Sequence, residues 1–184
     1  MAHLVGISGS LRKGSFNALL LKAAQEVMPS GSTLEIASIS GIPLYNFDVE
    51  TEGIPEAVDL LKERIVNAEG LLLVTPEYNH SIPGVFKNAI DWLSRPPKDI
   101  PRIFNRRPVA LIGASSGIGG TRMSQVAWLP VLRTLGTRPW FGKQLYVANS
   151  GQVFDAEGRL IDEKVRTLLT QIMAGFVEFV ASGR

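Results

Sequence analysis

Short apolar stretches alternate along the chain with longer segments in which apolar residues recur every three or four positions. The apolar stretches predict five β-strands, at residues 3–8, 33–39, 70–75 and 109–114 and within 138–147. The stretch 70–75, GLLLVT, has no polar alternation, which is typical of a strand covered on both faces. The pattern therefore predicts a sheet that lies in the interior of an α/β domain.

The segments between these strands predict helices. The first runs from about Ser15 to Met28, the second begins at Pro55, and the last runs from about Asp162 to Ser182. Two more cover the segments VFKNAIDWL and TRMSQVAWLPVLRTL. This alternation predicts one domain, residues 1–184, folded as a three-layer α/β/α sandwich around a five-stranded parallel sheet. Such sheets bind ligands beyond the carboxyl ends of their strands, where the strand order reverses.

The composition excludes several kinds of chemistry. The chain has no cysteine and only two histidines, which excludes a disulfide and a thiolate nucleophile and leaves little for a metal centre, so no metal is expected. Its apolar runs are too short to span a bilayer, and the first residues, MAHLVGIS, do not resemble a signal peptide. We therefore expect a cytoplasmic protein with no membrane partner.

The densest basic stretch, residues 95–107, reads RPPKDIPRIFNRR. It lacks the interleaved aromatic residues of a nucleic-acid surface and is interrupted by prolines, and the net charge of the chain is only +2. We interpret this stretch as a solvated loop and expect no nucleic-acid partner. Contact of the stretch with an anionic cofactor is left open.

Three loops follow predicted strands and share an unusual richness in glycine, hydroxyl and amide groups. They are GSLRKGSFN (9–17), TPEYNHSIPG (75–84) and ASSGIGG (114–120). In a parallel sheet these loops lie at the same edge, so we expect them to form one site.

The first loop has the groups that bind a phosphate. It leads into a helix, whose first backbone N–H groups are unpaired and whose dipole favours an anion. Ser10 and Ser15 add hydroxyls, Asn17 an amide and Arg12 a guanidinium. The alternative is that Ser15 only caps the helix, but a cap does not need the arginine or the asparagine.

Two common nucleotide loops do not match this segment. Gly9 and Gly14 have the separation of a Walker A loop, but Ser15 stands at its lysine position and Phe16 at its Ser/Thr position. The spacing of a dinucleotide-binding G-x-G-x-x-G motif is also absent. A terminal monophosphate on a smaller cofactor is the remaining interpretation.

The second and third loops suit a flat ring. The stretch TPEYN offers a rigid proline, an aromatic side chain and exposed N–H groups. The glycines of SSGIGG let the backbone approach a planar ring closely, because glycine has no Cβ. Tyr78, which stands between polar residues, is interpreted as a ring contact rather than a core residue.

The segments GSLRKGSFN, PEYNHSIPGVFKNAIDWLSRP and GASSGIGGTR, in this order, resemble the NADPH-dependent FMN reductase family. This flavodoxin-like group includes bacterial quinone and chromate reductases, and the resemblance covers roughly residues 3–150. It implies a flavodoxin-like fold and non-covalent FMN, with NADPH or NADH as reductant. It also implies cofactor-binding residues: Ser10, Arg12, Ser15, Phe16 and Asn17 around the phosphate, Pro76, Glu77, Tyr78 and Asn79 along the ring, and Ser115 and Gly117 closing the site.

The resemblance further implies an enzyme that passes two electrons from NAD(P)H through FMN to quinones, azo compounds, chromate or free flavin. One site used in turn predicts ping-pong kinetics, and the cofactor rather than a catalytic side chain carries the chemistry. The family implies a homodimer or homotetramer. An alternative stays open, namely a flavodoxin-like electron carrier or an FMN-binding regulatory protein without NAD(P)H turnover of its own.

GASSGIGG also resembles the glycine motif of short-chain dehydrogenases. In that family the motif follows the first strand, whereas here it begins at Gly113, and only 64 residues follow Gly120. No tyrosine of the chain has a lysine four positions later. This reading is therefore rejected.

Overall fold

In a computed structural model, which describes residues 1–183, the strands form one parallel sheet. Its members are β1 (His3–Ser8), β2 (Thr33–Ala37), β3 (Gly70–Val74), β4 (Pro108–Ala114), β5 (Arg138–Pro139) and β6 (Tyr146–Val147). The order is β2-β1-β3-β4-β5, and β6 also pairs with β4. The predicted parallel sheet and its first four strands are confirmed.

The fifth predicted strand is divided into two short pieces that both pair with β4. Val109 of β4 pairs with Pro139 of β5, and Gly113 pairs with Tyr146 of β6. Arg138 and Trp140 donate their N–H groups to the Arg107 and Val109 carbonyl oxygens, both at 2.8 Å, so the nitrogen of Pro139 faces away from β4, where an edge strand tolerates proline. The segment between the two pieces leaves the sheet, and the edge returns to β4 beside the third loop.

Seven helices complete the described part of the chain. They are α1 (Phe16–Glu26), α2 (Phe47–Glu52), α3 (Glu56–Val66), α4 (Gly84–Leu93), α5 (Ile100–Phe104), α6 (Arg122–Thr134) and α7 (Glu163–Ala181). Of these, α1 and α7 pack on one face of the sheet, and α3, α4, α5 and α6 pack on the other. This arrangement is the predicted three-layer α/β/α sandwich. The two helices that the sequence did not predict, α2 and α5, are short, and α5 lies in the segment interpreted as a solvated loop.

The expectation of a solvated loop at 95–107 is wrong for most of the segment. It contains a short 3-10 turn and α5, and Ile103 and Phe104 are fully buried in the core. Arg95 pairs with Glu50 at 2.8 Å, and Arg107 donates to the carbonyl oxygen of Ile103 at 2.5 Å. Contacts within the protein therefore use most of the basic side chains of this segment.

Within residues 1–183, no helix has both the length and the apolar character that a membrane crossing requires. The same residues contain no cluster of three or more histidine or acidic side chains suited to a metal ion.

Candidate functional site

The strand order places a crevice at one edge of the sheet. From β1 the chain passes to β2 on one side and returns to β3 on the other, so the order reverses between β1 and β3. The loops after β1, β3 and β4 meet beyond this point around a cavity of about 370 Å³. The cavity is lined by Ser10, Arg12, Ser15, Phe16, Asn17, Pro76, Glu77, Tyr78, Ala114, Ser115 and Ser116. The three loops singled out from the sequence therefore enclose one cavity.

Most of the predicted site residues line this cavity, but two do not. Asn79 lies in a turn behind Tyr78, and Gly117 lies further along the third loop. Conversely, Ala114 and Ser116 line the cavity without having been predicted. Their signal in the sequence was weak, because one is the last residue of a buried strand and the other simply follows a predicted serine.

Ser15 places the first loop at the N-terminus of α1. It is the N-cap of the helix, and its Oγ accepts the Asn17 N–H at 3.2 Å. The N–H groups of Gly14 and Phe16 have no acceptor within the described chain, and the first turn of α1 has no acidic residue. The helix therefore presents free donors and an uncompensated positive dipole end to the cavity.

Arg12 adds a full positive charge beside these donors. Its Nη1 donates to the Lys13 carbonyl oxygen at 3.3 Å, and its Cζ lies 5.7 Å from the centre of the Phe16 ring. Across residues 1–183, no carboxylate lies within 4 Å of its guanidinium, and the side chain is exposed. Free N–H groups, hydroxyls and an unpaired guanidinium make up a donor set that fits a phosphate monoester.

Asn17 makes a contact that the sequence did not suggest. Its Nδ2 donates to the Ala114 carbonyl oxygen at 2.8 Å, and its Oδ1 accepts the Ala114 N–H at 2.9 Å. The residue is only 3% exposed. Its amide thus connects the first loop to the end of β4, where the third loop begins.

The second loop is a tight two-residue turn. Tyr78 and Ser81 exchange backbone hydrogen bonds of 3.2 and 3.0 Å. The two central residues, Asn79 and His80, have φ angles of 51° and 57°, and a positive φ at both positions is the mark of a type I′ turn. Asparagine tolerates this region better than most residues, so Asn79 serves the turn. Tyr78 is half exposed at the mouth of the cavity.

The carboxylate of Glu77 fastens this loop to α6. Its Oε2 accepts the N–H groups of Met123 and Ser124 at 2.9 and 3.0 Å, and its Oε1 lies 3.2 Å from His80 Nδ1. An acidic group at a helix N-terminus satisfies free donors and complements the dipole. The residue lines the cavity while its charge serves the helix.

The third loop is held from the side of β6. Ser150 donates to the Ser115 carbonyl oxygen through Oγ at 2.7 Å and through its backbone N–H at 3.1 Å. The Gly117 carbonyl oxygen accepts the Asn149 N–H at 3.2 Å. At Gly113 of β4, a Cβ would lie 2.2 Å from the Thr75 carbonyl oxygen, so only glycine permits this close approach of β4 to the start of the second loop.

A parallel sheet in the order 2-1-3-4-5, with a cavity and the free N–H groups of a helix N-terminus at its switch point, is the architecture of the flavodoxin-like mononucleotide-binding proteins. Comparison with known sequences specifies the class further. The family model described as NADPH-dependent FMN reductase matches residues 2–152, and the chain belongs to this family.

Relatives of known name cover nearly the whole chain. An NAD(P)H-dependent FMN reductase of Pseudomonas aeruginosa is 46% identical over 168 residues, which are 91% of this chain and 89% of the relative. A 2-hydroxy-1,4-benzoquinone reductase of a Burkholderia species is 36% identical over 178 residues, with coverage of 97% and 96%. The solved structure of FerB, a flavoenzyme NAD(P)H:(acceptor) oxidoreductase of Paracoccus denitrificans, superimposes with a TM-score of 0.88 at 32% identity and covers 99% and 98% of the two chains.

These comparisons confirm the predicted family, the flavodoxin-like fold, the oxidoreductase class, and FMN with NAD(P)H as cofactor and reductant. They favour an enzyme over the alternative of a carrier without turnover, since the relatives compared above are named as reductases or oxidoreductases. The roles of the individual residues around the cavity stay predictions.

Proposed function

We propose that this chain is an FMN-dependent NAD(P)H oxidoreductase that delivers two electrons to quinones. The observation that carries the proposal is the single cavity at the switch point, with free anion-binding groups on its first loop and an aromatic and a glycine-rich wall on the other two. Flavin phosphate and flavin ring need these two environments side by side.

The first loop would hold the phosphate of FMN. The N–H groups at the start of α1 and the hydroxyls of Ser10 and Ser15 would donate to its oxygens, and Arg12 would add a charge-assisted contact. Phe16 would take part through its backbone, because its ring packs on Phe154 with centroids 6.0 Å apart. Asn79 and Gly117 would act by shaping their loops, since neither lines the cavity.

The second and third loops would form the walls around the flavin ring. Pro76 is buried and fixes the backbone of the second loop, and Ser115 and Ser116 of the third loop line the same cavity. When bound, FMN accepts hydride from NAD(P)H and delivers two electrons to an acceptor. Tyr78, half exposed at the cavity mouth, would contact the flat molecules that enter in turn.

Quinones are proposed as acceptors because relatives along nearly the whole chain are named for them. These include the Burkholderia benzoquinone reductase and a quinone reductase of Escherichia coli, which is 37% identical over 185 residues. An exposed site shared by donor and acceptor favours ping-pong kinetics and loose acceptor specificity. Azo compounds, chromate and free flavin are therefore proposed as further acceptors.

We also propose that the chain works as a cytoplasmic homodimer or homotetramer. The support is an apolar surface on α6, where Met123 and Val126 are 51% and 57% exposed beside the site. Exposed apolar side chains grouped on one helix are typical of subunit contacts. Light scattering of the purified protein would distinguish a monomer, which contradicts this proposal, from a dimer or tetramer.

The experiment that tests the function is an anaerobic absorption spectrum before and after addition of NADPH, followed by addition of a benzoquinone. Flavin bands that bleach with NADPH and return with the quinone support the proposal. Bands that persist with NADPH would indicate a carrier that needs another reductant. A chain that neither contains flavin nor binds added FMN would overturn the interpretation of the cavity.

A further inference from the structure

We propose that Asn17 is a positioning residue that locks the first loop to the third, and that it thereby sets the fit of the whole cavity rather than binding phosphate through its side chain. This inference rests on the proposed function and goes beyond it, because it assigns Asn17 a role that the family resemblance does not imply. The two roles predict different responses to flavins with and without a phosphate.

The contact is a matched pair of hydrogen bonds between elements far apart in the chain. Asn17 and Ala114 are 97 residues apart, and the two bonds measure 2.8 and 2.9 Å. Both residues are buried, so water does not compete for these groups. The side-chain amide of Asn17 therefore donates to the carbonyl oxygen of Ala114 and accepts from the N–H of the same residue. Two neighbouring β-strands exchange the same kinds of hydrogen bond.

The Asn17 amide pairs with β4 just beyond the point where the pairing of β3 with β4 ends. Pairing of β3 with β4 ends at Val74 and Ile112, followed by a last bond from the Thr75 N–H to the Ile112 carbonyl oxygen at 2.9 Å. Alternate residues of a strand direct their backbone groups to the same neighbour, so Ala114 is the next residue that faces β3. By the same alternation the next residue after Thr75 that would face β4 is residue 77, but the chain has turned away at Pro76, and Glu77 lies in the second loop. Asn17 supplies both missing partners.

Through this contact the Asn17 amide fixes the first and third loops of the cavity relative to each other. Asn17 follows directly on Ser15 and Phe16 of the first loop, and Ala114 precedes Ser115 and Ser116 of the third. Without the amide, the buried N–H and carbonyl oxygen of Ala114 would lose their partners, and the start of α1 would lose its connection to β4. Both the phosphate end and the ring end of the cavity would then shift.

The test compares FMN with riboflavin, which has the same ring and no phosphate. The apoprotein, freed of any flavin, is titrated with each compound, and the quenching of flavin fluorescence gives two dissociation constants. For Asn17→Ala we expect weaker binding of both flavins, each by about tenfold, with their ratio close to that of the wild type. For Arg12→Ala we expect FMN binding to weaken by about tenfold or more while riboflavin binding is unchanged.

Two further variants separate positioning from general damage to the fold. Leu20→Ala removes a fully buried side chain of the same helix that does not line the cavity, so it should lower the melting temperature and leave both dissociation constants near wild type. If Asn17→Ala does not fold, Asn17→Asp keeps the size of the side chain and the acceptor for the Ala114 N–H. It places an oxygen where Nδ2 donates, and riboflavin carries no charge that it could repel, so riboflavin should again bind more weakly.

The outcomes are distinct. Loss of FMN binding alone in Asn17→Ala would show a direct phosphate contact and overturn the inference, and so would unchanged binding of both flavins. Parallel loss in Asn17→Ala but also in Leu20→Ala would overturn it as well, since destabilisation alone would then suffice. A wild-type chain that binds neither flavin would overturn the proposed function itself, a result that the other outcomes cannot imitate.

Discussion

Arg12 and the arginines of the segment 95–107 carry the same charge in opposite surroundings. Arg12 is exposed beside a helix N-terminus and has no carboxylate within 4 Å in the described chain. Arg95 and Arg102 are paired with carboxylates, and Arg107 donates to three backbone carbonyl oxygens. Burial lowers the pKa of Arg107. Arg95, Arg102 and Arg107 therefore serve the fold, whereas the guanidinium of Arg12 lies at the cavity with no carboxylate beside it.

A buried lysine of α3 holds the start of the segment 95–107 in place. Lys62 of α3 is fully buried, and its Nζ donates to Asp99 Oδ2 at 2.8 Å and to the Arg95 carbonyl oxygen at 2.5 Å. Burial would raise the pKa of Asp99, but the hydrogen bonds from Lys62 and Arg102 outweigh it and hold that pKa below its usual value. The partners of a charge therefore indicate its role better than the density of charges along the sequence.

The largest effect that sharpens this comparison is expected at Lys62. Lys62→Met keeps the apolar stem but leaves the Asp99 carboxylate and the Arg95 carbonyl oxygen without their buried donor. Removal of one partner from a buried ion pair is strongly destabilising, and we expect a loss of about 3 kcal/mol in the free energy of unfolding. Urea unfolding of the variant and the wild type measures it.

The matched observation for Lys62→Met is FMN affinity, which should equal that of the wild type in the folded variant. The residue does not line the cavity, and the hydrogen bonds and ion pairs of its ammonium group go to Asp59, Arg95 and Asp99. A variant as stable as the wild type, or one that binds FMN more weakly while fully folded, would contradict the division between the two regions.

Arg12→Ala should give the converse result. It removes a charge-assisted contact to phosphate, and we expect a loss of about 1.5–3 kcal/mol in FMN binding. The free energy of unfolding of the apoprotein should not change, because the exposed guanidinium has no ion-pair partner to lose. Isothermal titration with FMN and urea unfolding of the same apoprotein measure the two quantities. An unchanged FMN affinity would reject the phosphate role of Arg12.

A smaller effect is expected at Glu77, which combines features of both regions. Glu77→Ala leaves the N–H groups of Met123 and Ser124 without their cap, and loss of a helix cap costs about 1 kcal/mol of stability. The same change frees the turn that carries Tyr78, so the apparent KM for quinone should rise more than the dissociation constant of FMN. Unfolding curves and steady-state kinetics measure the two effects, and Glu77→Gln, which keeps an acceptor oxygen, should recover part of each.

The sequence predicted the sheet and the three loops because these depend on local patterns. Uninterrupted apolar runs identify buried strands, and a glycine- and serine-rich loop before a helix identifies an anion site. The same loops also carried the family resemblance, which the comparisons confirm. The short helix α2 has no buried residue, so it lacks the apolar periodicity from which a helix is predicted.

The partners of polar side chains could not be predicted in the same way. The contact between Asn17 and Ala114 spans 97 residues, and the contacts of Glu77 with α6 span 46 and 47. Each depends on the end of one strand lying beside the start of a distant helix, which only the assembled sheet fixes. For the same reason the segment 95–107 was expected to be solvated, since the carboxylates that pair with Arg95 and Arg102 come partly from α2 and α3, and Arg107 donates to the Ala68 carbonyl oxygen.

The smallest predicted effect is a pH dependence of stability that arises from the ion pair between Glu50 and Arg95. The hydrogen bond from Arg95 holds the pKa of Glu50 below its ordinary value of 4.5 against the effect of burial, and the Tyr45 hydroxyl contributes in the same direction. A lowered folded pKa means that the stabilisation is complete above 4.5 and is lost as the pH falls through the folded value. Glu50→Gln should therefore melt below the wild type near neutral pH, and the difference should shrink in acid. Melting temperatures of both proteins from about pH 7 to about pH 3 measure this.

Arg12→Ala, which breaks no ion pair, should follow the wild-type curve of melting temperature against pH throughout. A pH-dependent difference there would show that its guanidinium is not free of carboxylates.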